Sequence, residues 1–258
     1  MKTFESCKVL KSEALLPGIY ELVLKTKASK AALPGQFVMV YPRSKDTILP
    51  RPISICEIDK EAETLRLVYR VAGKGTKEFS MYSAGDEVKV LGPVGNGFPL
   101  KEAEGKNAIL IGGGIGVPPI LELAKEINAA KVSVLVGYRD VNNMFLKEEF
   151  EKTATTYIAT DDGSYGTKGN VMTALKEQNI PCDVIYACGP MPMLRAIKEY
   201  AKTNNIKAYI SLEERMACGV GACLGCVCKT TKKDEHSHVN NARVCTEGPV
   251  FEAEEVEI

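Results

Sequence analysis

The sequence has no excess charge of either sign, no long apolar run and only two histidines. Its 33 Lys and Arg residues balance 33 Asp and Glu residues, so it lacks the basic excess with which proteins bind nucleic acids or acidic membranes. The longest uncharged stretch, residues 107–121, is too short and too rich in glycine and proline to cross a bilayer. Both histidines lie in one polar loop, so histidine-based nucleophilic catalysis is not expected. These absences predict no nucleic-acid partner and no membrane span.

What the chain does contain is an unusual amount of cysteine. The opening residues, 1–10, are charged and lack the apolar core of an export signal, which predicts a cytoplasmic protein. At 258 residues, of which 45% are hydrophobic, the chain is long enough for more than one domain. Nine cysteines in a cytoplasmic chain indicate metal or redox chemistry rather than disulfides. Five of them fall in one short stretch: Cys218, Cys223, Cys226, Cys228 and Cys245.

Residues 1–100 carry the pattern of short β-strands. In residues 63–71 apolar side chains occupy alternate positions, the period of a strand with one buried face. The same period appears in residues 20–24, and residues 36–41 and 87–91 form further short strands. Turn-forming pairs such as Pro34-Gly35 separate these segments. The pattern predicts a small antiparallel β-barrel.

From residue 101 to residue 211 apolar strands alternate with helical stretches. Strands are predicted at 108–111, 132–136, 157–159, 184–187 and 208–212, with helices such as 120–127 and 194–201 between them. Strands spaced in this way form a doubly wound parallel α/β sheet. Regular patterning is expected to stop near residue 212. The remaining segment, 212–258, has so few large apolar residues that it needs a metal or covalent link to hold its shape.

The cysteine spacing in this last segment is the strongest chemical signal. Four residues separate Cys218 from Cys223, two separate Cys223 from Cys226, and Cys245 follows at a distance, which is the ligand spacing of plant-type 2Fe-2S clusters. Most residues between the ligands are Gly or Ala, so the loop can wrap closely around a cluster and direct backbone N–H groups at its sulfur atoms.

A zinc site is the alternative interpretation of these residues. Cys223 and Cys226 with His236 and His238 would supply four ligands. This reading leaves the first cysteine and its four-residue gap unexplained, so both histidines are interpreted as bystanders in a solvated loop. Cys228 is interpreted as a thiol packed near the cluster, although the spacing also allows it to replace Cys226.

A glycine-rich loop joins an apolar strand to a helix at residues 109–120. Glycines allow backbone N–H groups to approach a pyrophosphate, and the helix N-terminus adds positive potential. The usual dinucleotide fingerprint fails, however, because Val117 stands where its third glycine would be. A simple tight turn therefore stays open as an explanation. Cys188 and Gly189 follow a later strand of the same sheet, at the edge where such sheets bind ligands, although a free cysteine is most often only a small buried residue.

The third motif lies in the barrel region, at residues 49–55. Arg51 is a permanent cation whose planar guanidinium suits a phosphate, and Ser54 offers a hydroxyl to a ring nitrogen or a ribose. Taken alone, these could be an ordinary strand with one surface arginine. Residues 69–76 lead into a helix expected to begin near Thr76, another position suited to a phosphate.

Together these motifs resemble a known family. The segments 51–54 (RPIS), 112–118 (GGGIGVP) and 188–190 (CGP) resemble the flavin and pyridine-nucleotide motifs of the ferredoxin–NADP reductase superfamily. The segments 214–226 (ERMACGVGACLGC) and 243–251 (RVCTEGPVF) narrow the resemblance to the electron-transfer subunits of NAD-dependent (class 1B) dihydroorotate dehydrogenases. It covers essentially the whole chain and implies an FAD-binding barrel in residues 1–100, an NAD-binding domain in 101–211 and a 2Fe-2S domain in 212–258.

The resemblance also implies roles for individual residues. Arg51 would lie at the FAD pyrophosphate, Ser54 near the isoalloxazine, and Cys188 near the nicotinamide as a catalytic candidate. Arg139 could hold the 2′-phosphate of NADP and Asp140 could repel it, so the preference for NAD is implied by resemblance alone. The full set comprises an FAD site at Arg51, Pro52, Ile53, Ser54, Val68, Tyr69, Arg70, Gly75 and Thr76, an NAD site at Gly112, Gly113, Gly114, Ile115, Gly116, Gly189 and Pro190, and a cluster on Cys218, Cys223, Cys226 and Cys245.

The implied activity is electron transfer in pyrimidine biosynthesis. A partner catalytic subunit containing FMN would oxidise dihydroorotate to orotate, and electrons would pass through this chain's cluster to FAD and leave as hydride to NAD. The expected assembly is a heterotetramer with two copies of each subunit. Two other hypotheses stay open. One is a related flavin/2Fe-2S reductase subunit that serves another redox partner, and the other is a non-enzymatic binding module stabilised by zinc.

Overall fold

In the computed structural model, which describes residues 2–233 and 238–258, the N-terminal strands close into an antiparallel barrel. The strand order around the barrel is β1-β2-β5-β4-β3-β6. A short helix, α1 (Lys74–Phe79), follows β5. The strands are β1 (Thr3–Leu16), β2 (Ile19–Lys25), β3 (Phe37–Tyr41), β4 (Arg51–Asp59), β5 (Thr64–Arg70) and β6 (Glu87–Val94). The predicted barrel is thus confirmed.

Alternation of side chains explains why these segments pair. Leu22 on β2 faces Leu67 on β5, and Leu24 faces Leu65; all four side chains are fully buried in the barrel core. The long first strand was not predicted, because only Cys7 and Val9 of its residues are buried and the others are mostly polar or exposed. Its ladders with β2 and β6 hold it in place.

The central part of the chain and one C-terminal strand, β15 (Val250–Glu252), form a seven-stranded sheet in the order β10-β9-β8-β7-β11-β12-β15. All neighbours are parallel except the pair of β12 and β15. The order reverses between β7 and β11, where α/β sheets bind ligands beyond the carboxyl ends of the strands. The strands are β7 (Asn107–Gly113), β8 (Lys131–Tyr138), β9 (Thr155–Thr160), β10 (Thr167–Lys168), β11 (Val184–Cys188) and β12 (Lys207–Ser211).

Helices cover both faces of this sheet. The sheet therefore separates two hydrophobic cores, one on each face. One core contains Leu194 of α5, and the other contains Ile120 of α2 and Phe150 of α3. The predicted strands and helices of this region are confirmed, with ends that differ by a few residues. The helices are α2 (Pro118–Glu126), α3 (Lys147–Thr153), α4 (Val171–Glu177) and α5 (Met191–Thr203).

The C-terminal segment is more regular than the sequence suggests. β13 (Val227–Lys229) pairs with β14 (Asn241–Arg243), and β15 (Val250–Glu252) adds to the edge of the central sheet. The expectation that regular structure ends near residue 212 is therefore wrong for these residues. Three-residue strands are too short to show a period, and the pairing of β15 with β12 depends on contacts distant in sequence. No helix in the described ranges is long and apolar enough to cross a membrane.

Candidate functional site

A cavity of about 950 Å³ lies between the barrel and the segment that follows β12. Its volume is near the upper end of the roughly 300–1,000 Å³ typical of small-molecule sites, which suits a ligand as large as FAD. We call it the flavin cavity. The predicted FAD-site residues in its walls are Arg51, Pro52, Ile53, Ser54, Val68, Tyr69 and Arg70.

Arg51 is held at the rim of the flavin cavity by the chain around it. Its Nη1 donates to the carbonyl oxygen of Leu49 at 2.6 Å, and its guanidinium lies against Gly75, where an added Cβ would be 2.9 Å from Nε. Gly75 is thus placed to keep room for the arginine. Thr76, the next residue, uses its hydroxyl to accept from the amides of Ala72 and Gly73, so it stabilises the start of α1.

One buried polar atom in the flavin cavity wall has no partner. The hydroxyl of Tyr69 makes no hydrogen bond within the described part of the chain, although the residue is only 2% exposed. A buried hydroxyl without a partner costs about 1–3 kcal/mol, and a ligand with polar atoms would remove that cost. Burial also raises the pKa of Tyr69 above its usual value, so at neutral pH the hydroxyl is a donor. The wall of the flavin cavity therefore contains a cation and an unpaired donor, which fit a flavin nucleotide.

A second cavity of about 550 Å³ lies at the carboxyl edge of the central sheet, and we call it the nucleotide cavity. Gly113, Gly114 and Pro190 line it. Gly112 and Gly189 are buried, and a Cβ added to Gly189 would lie 3.1 Å from the amide nitrogen of Gly113. The two predicted loops, one after β7 and one after β11, thus meet at the point where the strand order reverses.

Close packing explains why this loop is rich in glycine. A Cβ on Gly116 would lie 2.5 Å from the carbonyl carbon and oxygen of Cys188, and one on Gly113 would lie 2.6 Å from Met193 Sδ. Gly114 has φ of +54°, a conformation that glycine adopts at little cost. Ile115 lies in the same loop but faces the flavin cavity.

The two cavities meet at Arg70, which lines both of them. An added Cβ on Gly114 would be 3.8 Å from Arg70 Nη2, so the guanidinium reaches from the barrel toward the glycine loop. Glu213 stands in the wall of the flavin cavity; burial raises its pKa, and the charge of Arg70 opposes that shift. A cation is therefore available to ligands in either cavity.

The residues after β8 face in different directions. Arg139 lines the nucleotide cavity. The Asp140 carboxylate instead accepts hydrogen bonds from the amides of Asn142 and Asn143 at 2.9 and 3.1 Å and from the Asn143 side chain, so it caps the turn that follows. Asp161, at the end of β9, is an acidic residue of the cavity wall that sequence reasoning missed.

Cys188 does not open into either cavity. It is 1% exposed, and its thiol is hydrogen-bonded with Ser211. Burial raises the pKa of the Cys188 thiol to about 12. Its backbone carbonyl packs against Gly116, so the residue shapes the glycine loop. A place for its thiol beside the nicotinamide stays a prediction.

The four predicted cluster ligands associate as two pairs. The side chain of Cys218 lies close to that of Cys223, and the side chain of Cys226 lies close to that of Cys245. The pairing of β13 with β14, together with the Val244 amide on the Cys226 carbonyl at 3.0 Å, brings the distant Cys245 to this loop. Across residues 2–233 and 238–258, no three His, Cys, Asp or Glu side chains form a site for a single metal ion. Two cysteine pairs match a centre with two irons, in which each iron is held by two of the four cysteines.

Backbone amides point at the cysteine sulfur atoms. Val220 N and Cys223 N each lie 3.4 Å from Cys218 Sγ, and Gly225 N lies 3.4 Å from Cys223 Sγ. Burial raises the pKa of Cys218, but the amides of Val220, Cys223 and Ala222 and the Cys223 thiol outweigh that effect and lower it to about 6. Donors of this kind stabilise thiolate ligands and tune the potential of a cluster. The loop therefore fits a 2Fe-2S cluster.

Two glycines let this loop approach its neighbours closely. Gly219 and Gly221 have φ of +68° and +81°, and a Cβ on Gly219 would lie 2.7 Å from Met39 Cγ of the barrel. Cys228 lies half-buried on β13. Its thiol forms no hydrogen bond with any of the four predicted ligands. His236 of the zinc alternative lies outside the described residues, and His238 is exposed.

The segment joining the sheet to the cysteine loop was missed as part of a site. These six residues run from the last residue of β12 toward Cys218, and the motif that includes three of them was assigned to the cluster, not to the FAD site; they are Ser211, Leu212, Glu213, Glu214, Arg215 and Met216. Only their position opposite β4 and β5 makes them a cavity wall. One chain segment thus connects the flavin cavity to the cluster loop.

Comparisons with known proteins agree with this architecture. The family described as "Iron-sulfur cluster binding domain of dihydroorotate dehydrogenase B" matches residues 213–257, and "Oxidoreductase NAD-binding domain" matches residues 110–199. A protein of Listeria innocua serovar 6a named "Dihydroorotate dehydrogenase B (NAD(+)), electron transfer subunit" is 46% identical over 257 residues, which are 97% of this chain and 98% of that protein. A protein of Shouchella clausii with the same name is 43% identical over 96% of each chain.

Solved structures share the fold. A chain of the NADH-dependent reduced ferredoxin-NADP oxidoreductase superposes with a TM-score of 0.85 at 26% identity, over 97% of this chain and 89% of that one. A ferredoxin NADP+ reductase from Neisseria gonorrhoeae, solved with bound FAD and NADP, superposes with a TM-score of 0.66 at 17% identity, over 78% of this chain and 91% of that one.

Proposed function

Because this chain belongs to the family of dihydroorotate dehydrogenase B electron transfer subunits, we propose that it passes electrons from a dihydroorotate-oxidising partner to NAD. The route is a 2Fe-2S cluster on Cys218, Cys223, Cys226 and Cys245, then FAD, then NAD. The reaction that it completes is the oxidation of dihydroorotate to orotate in pyrimidine biosynthesis.

The observation that carries the proposal is that residues in the wall of the flavin cavity lead to the cysteine loop on one side and line the nucleotide cavity on the other. Residues 211–216 form one of its walls and lead directly to Cys218. Arg70 lines the flavin cavity and the nucleotide cavity together. A ligand in the flavin cavity would therefore contact the segment that leads to the cluster and the residue that faces NAD, as a relay between them requires.

The chemistry itself belongs to the cofactors: a 2Fe-2S cluster passes single electrons, a nicotinamide exchanges a hydride, and a flavin can do both. The chain's residues bind and position them. Arg51 would supply a cation to FAD, and the Tyr69 hydroxyl would supply a donor. The loop of residues 112–116 would bring its backbone close to the NAD pyrophosphate, and Gly116 allows this loop to pack on the Cys188 carbonyl. The amides of Val220, Cys223 and Gly225 would stabilise the negative charge of a bound cluster.

The partner supplies the dihydroorotate chemistry. In this proposal an FMN-containing subunit removes two electrons from dihydroorotate and delivers them one at a time to the cluster. We propose a cytoplasmic complex, because thiols stay reduced in the cytoplasm and none of the nine cysteines forms a disulfide.

The proposal is tested by reconstituting the complex. The chain, purified anaerobically, should show flavin bands and broad cluster absorption that NADH bleaches. Co-expressed with a dihydroorotate-oxidising FMN subunit, it should confer dihydroorotate-dependent reduction of NAD. A coloured, NADH-reducible protein that adds nothing to the FMN subunit would favour a reductase serving another redox partner, and a colourless zinc protein would overturn both assignments.

A further inference from the structure

A buried carboxylate joins the nucleotide domain to the barrel away from both cavities. Glu122 lies on α2 and is 3% exposed. Its Oε2 accepts a hydrogen bond of 3.0 Å from the backbone nitrogen of Ile58 on β4. Few carboxylates are buried this completely unless an ionic partner neutralises them.

The second contact of Glu122 is another carboxylate. Its side chain lies within hydrogen-bonding distance of that of Glu126, one helical turn further along α2. Two carboxylates can share a hydrogen bond only when one of them carries a proton. Glu126 in turn lies 3.9 Å from the Nζ of Lys60, in the turn after β4. The pair therefore contacts the barrel at two points, the Ile58 amide and the Lys60 ammonium.

Two of the cations around the contact between Glu122 and Ile58 form ion pairs with a different carboxylate, Glu57. Glu57 on β4 is paired with both Lys125 and Arg66, and Arg66 also contacts Glu21 at 2.7 Å and Glu149 at 3.6 Å. The charged and titratable side chains that face the contact are Cys56, Glu57 and Lys60 of β4 and its turn, Glu21 and Arg66 of β2 and β5, Lys125 and Glu126 of α2, and Glu149 of α3. We call this set the domain seam.

The environment favours a protonated Glu122. Burial raises its pKa, the Ile58 amide lowers it, and the hydrogen bond and charge of Glu126 raise it again, to about 7. An ordinary glutamate titrates near 4.5. Because the folded protein raises this pKa, the contribution of Glu122 to stability is complete below about pH 4.5 and is lost as the pH rises through about 7.

The domain seam connects the two elements that carry the redox sites. The strand β4 begins with Arg51 to Ser54 in the flavin cavity wall, and α2 begins directly after the loop Gly112–Gly116 of the nucleotide cavity. A strand and a helix transmit a shift at one end to the other. A change where Glu122 meets Ile58 would therefore change the separation of the two cofactors.

We propose that Glu122 is a positioning residue, and that the proton it shares with Glu126 fastens the nucleotide domain to the barrel at the distance that hydride transfer requires. This inference rests on the proposed function, since it assumes FAD in one cavity and NAD in the other. Loss of the proton places two negative charges side by side in the seam and loosens it.

The test compares three variants with the wild type between pH 5.5 and 8.5. Glu122→Gln keeps the shape and both hydrogen bonds without a titratable proton. Glu126→Gln leaves Glu122 without its acidic neighbour. Glu102→Gln, at a partly exposed carboxylate paired with Lys207 at 3.3 Å, is the matched control. One readout is the limiting rate of FAD reduction at saturating NADH, and the other is thermal unfolding, which needs no turnover.

The expected outcomes differ between the variants. The wild type and Glu102→Gln should lose roughly tenfold in limiting rate as the pH rises through about 7, because a misplacement of about 1 Å can cost on the order of 100-fold. The limiting rate of Glu122→Gln should stay within about twofold of its value at low pH. The melting temperature of this variant should rise relative to that of the wild type as the pH increases. In Glu126→Gln the fall in rate should move to lower pH.

Failure of this proposal can be told apart from failure of the proposed function. If wild-type protein is not reduced by NADH at any pH, the assigned function is wrong. If it is reduced, but Glu122→Gln follows the wild-type pH profile in both rate and melting temperature, the seam proposal is overturned. Should Glu122→Gln fail to fold, an unshifted profile in Glu126→Gln would overturn it equally.

Discussion

Asn96 and Val250 bond to each other reciprocally although 154 residues separate them. The Asn96 Nδ2 donates to the Val250 carbonyl at 3.1 Å, and the Val250 amide donates to the Asn96 Oδ1 at 3.2 Å. Asn96 Nδ2 also reaches the carbonyl of Glu247 at 2.8 Å. One side chain beyond the end of the barrel thus holds the segment that follows the predicted cluster ligand Cys245.

Replacing Asn96 by alanine should loosen this segment. The loss of its side-chain partners leaves buried backbone groups unsatisfied, at a cost of about 1–3 kcal/mol. The melting temperature should fall by roughly 2–4 °C per kcal/mol, and the cluster should bleach faster in air. Asn204→Ala, which removes a bond to Tyr200 within α5 and its cap, should leave bleaching unchanged. Equal bleaching rates in the two variants would argue against this role of Asn96.

Gly75→Ala should weaken FAD binding. The new Cβ would lie 2.9 Å from Arg51 Nε and 3.1 Å from its Cζ, so the guanidinium must leave its position. A charge-assisted hydrogen bond is worth about 1.5–3 kcal/mol, so the affinity for FAD should fall roughly tenfold or more. Titration of flavin-free protein with FAD measures this.

Gly73→Ala is the matched control for that experiment. An added Cβ at Gly73 has nothing within 4 Å, and its φ of −172° is open to any residue. FAD affinity should stay within about twofold of the wild type, which is under 0.5 kcal/mol. If both alanine variants bind FAD equally well, Arg51 does not contribute from this position.

Cys245→Ser and Cys228→Ser should differ in iron content. Cys245 is fully buried and paired with Cys226, whereas Cys228 lies on β13 opposite Ala242. The first variant should lose the cluster and its visible absorption, and the second should retain both, as measured by iron and sulfide per chain. Comparable losses in both would show that the ligand set is wrongly chosen.

Arg139→Ala should lower the residual use of NADPH more than the use of NADH. Arg139 lines the nucleotide cavity, so its guanidinium is available to a 2′-phosphate, and such contacts are worth about 1.5–3 kcal/mol. The kcat/KM for NADPH should therefore fall roughly tenfold or more, with that for NADH changing little. Asp140→Asn keeps the turn cap, since Asn caps as well as Asp, and should change neither. Equal losses for both nucleotides in Arg139→Ala would place the arginine elsewhere on the dinucleotide.

The motifs could be recognised in the sequence because each is a local pattern. The glycine loop between β7 and α2, the Arg51–Ser54 strand and the cysteine spacing all need only neighbouring residues to be recognised. Sequence reasoning missed β1, whose residues are mostly polar or exposed, and β15, whose three residues show no period. It also left open whether Arg139 favours NADP or Asp140 disfavours it, since only the directions of the two side chains in space distinguish their effects.

By itself, the sequence determined the order of barrel, α/β domain and cysteine loop, and the chemical type of each site, because hydrophobic period, glycine and cysteine spacing act over short distances along the chain. Only the tertiary structure decided which residues are shared between sites. Arg70 between the two cavities, residues 211–216 in the flavin cavity wall, and Glu122 against Ile58 bring together positions from different domains. Such contacts arise when separately patterned units bury their surfaces against one another, and no local pattern specifies them.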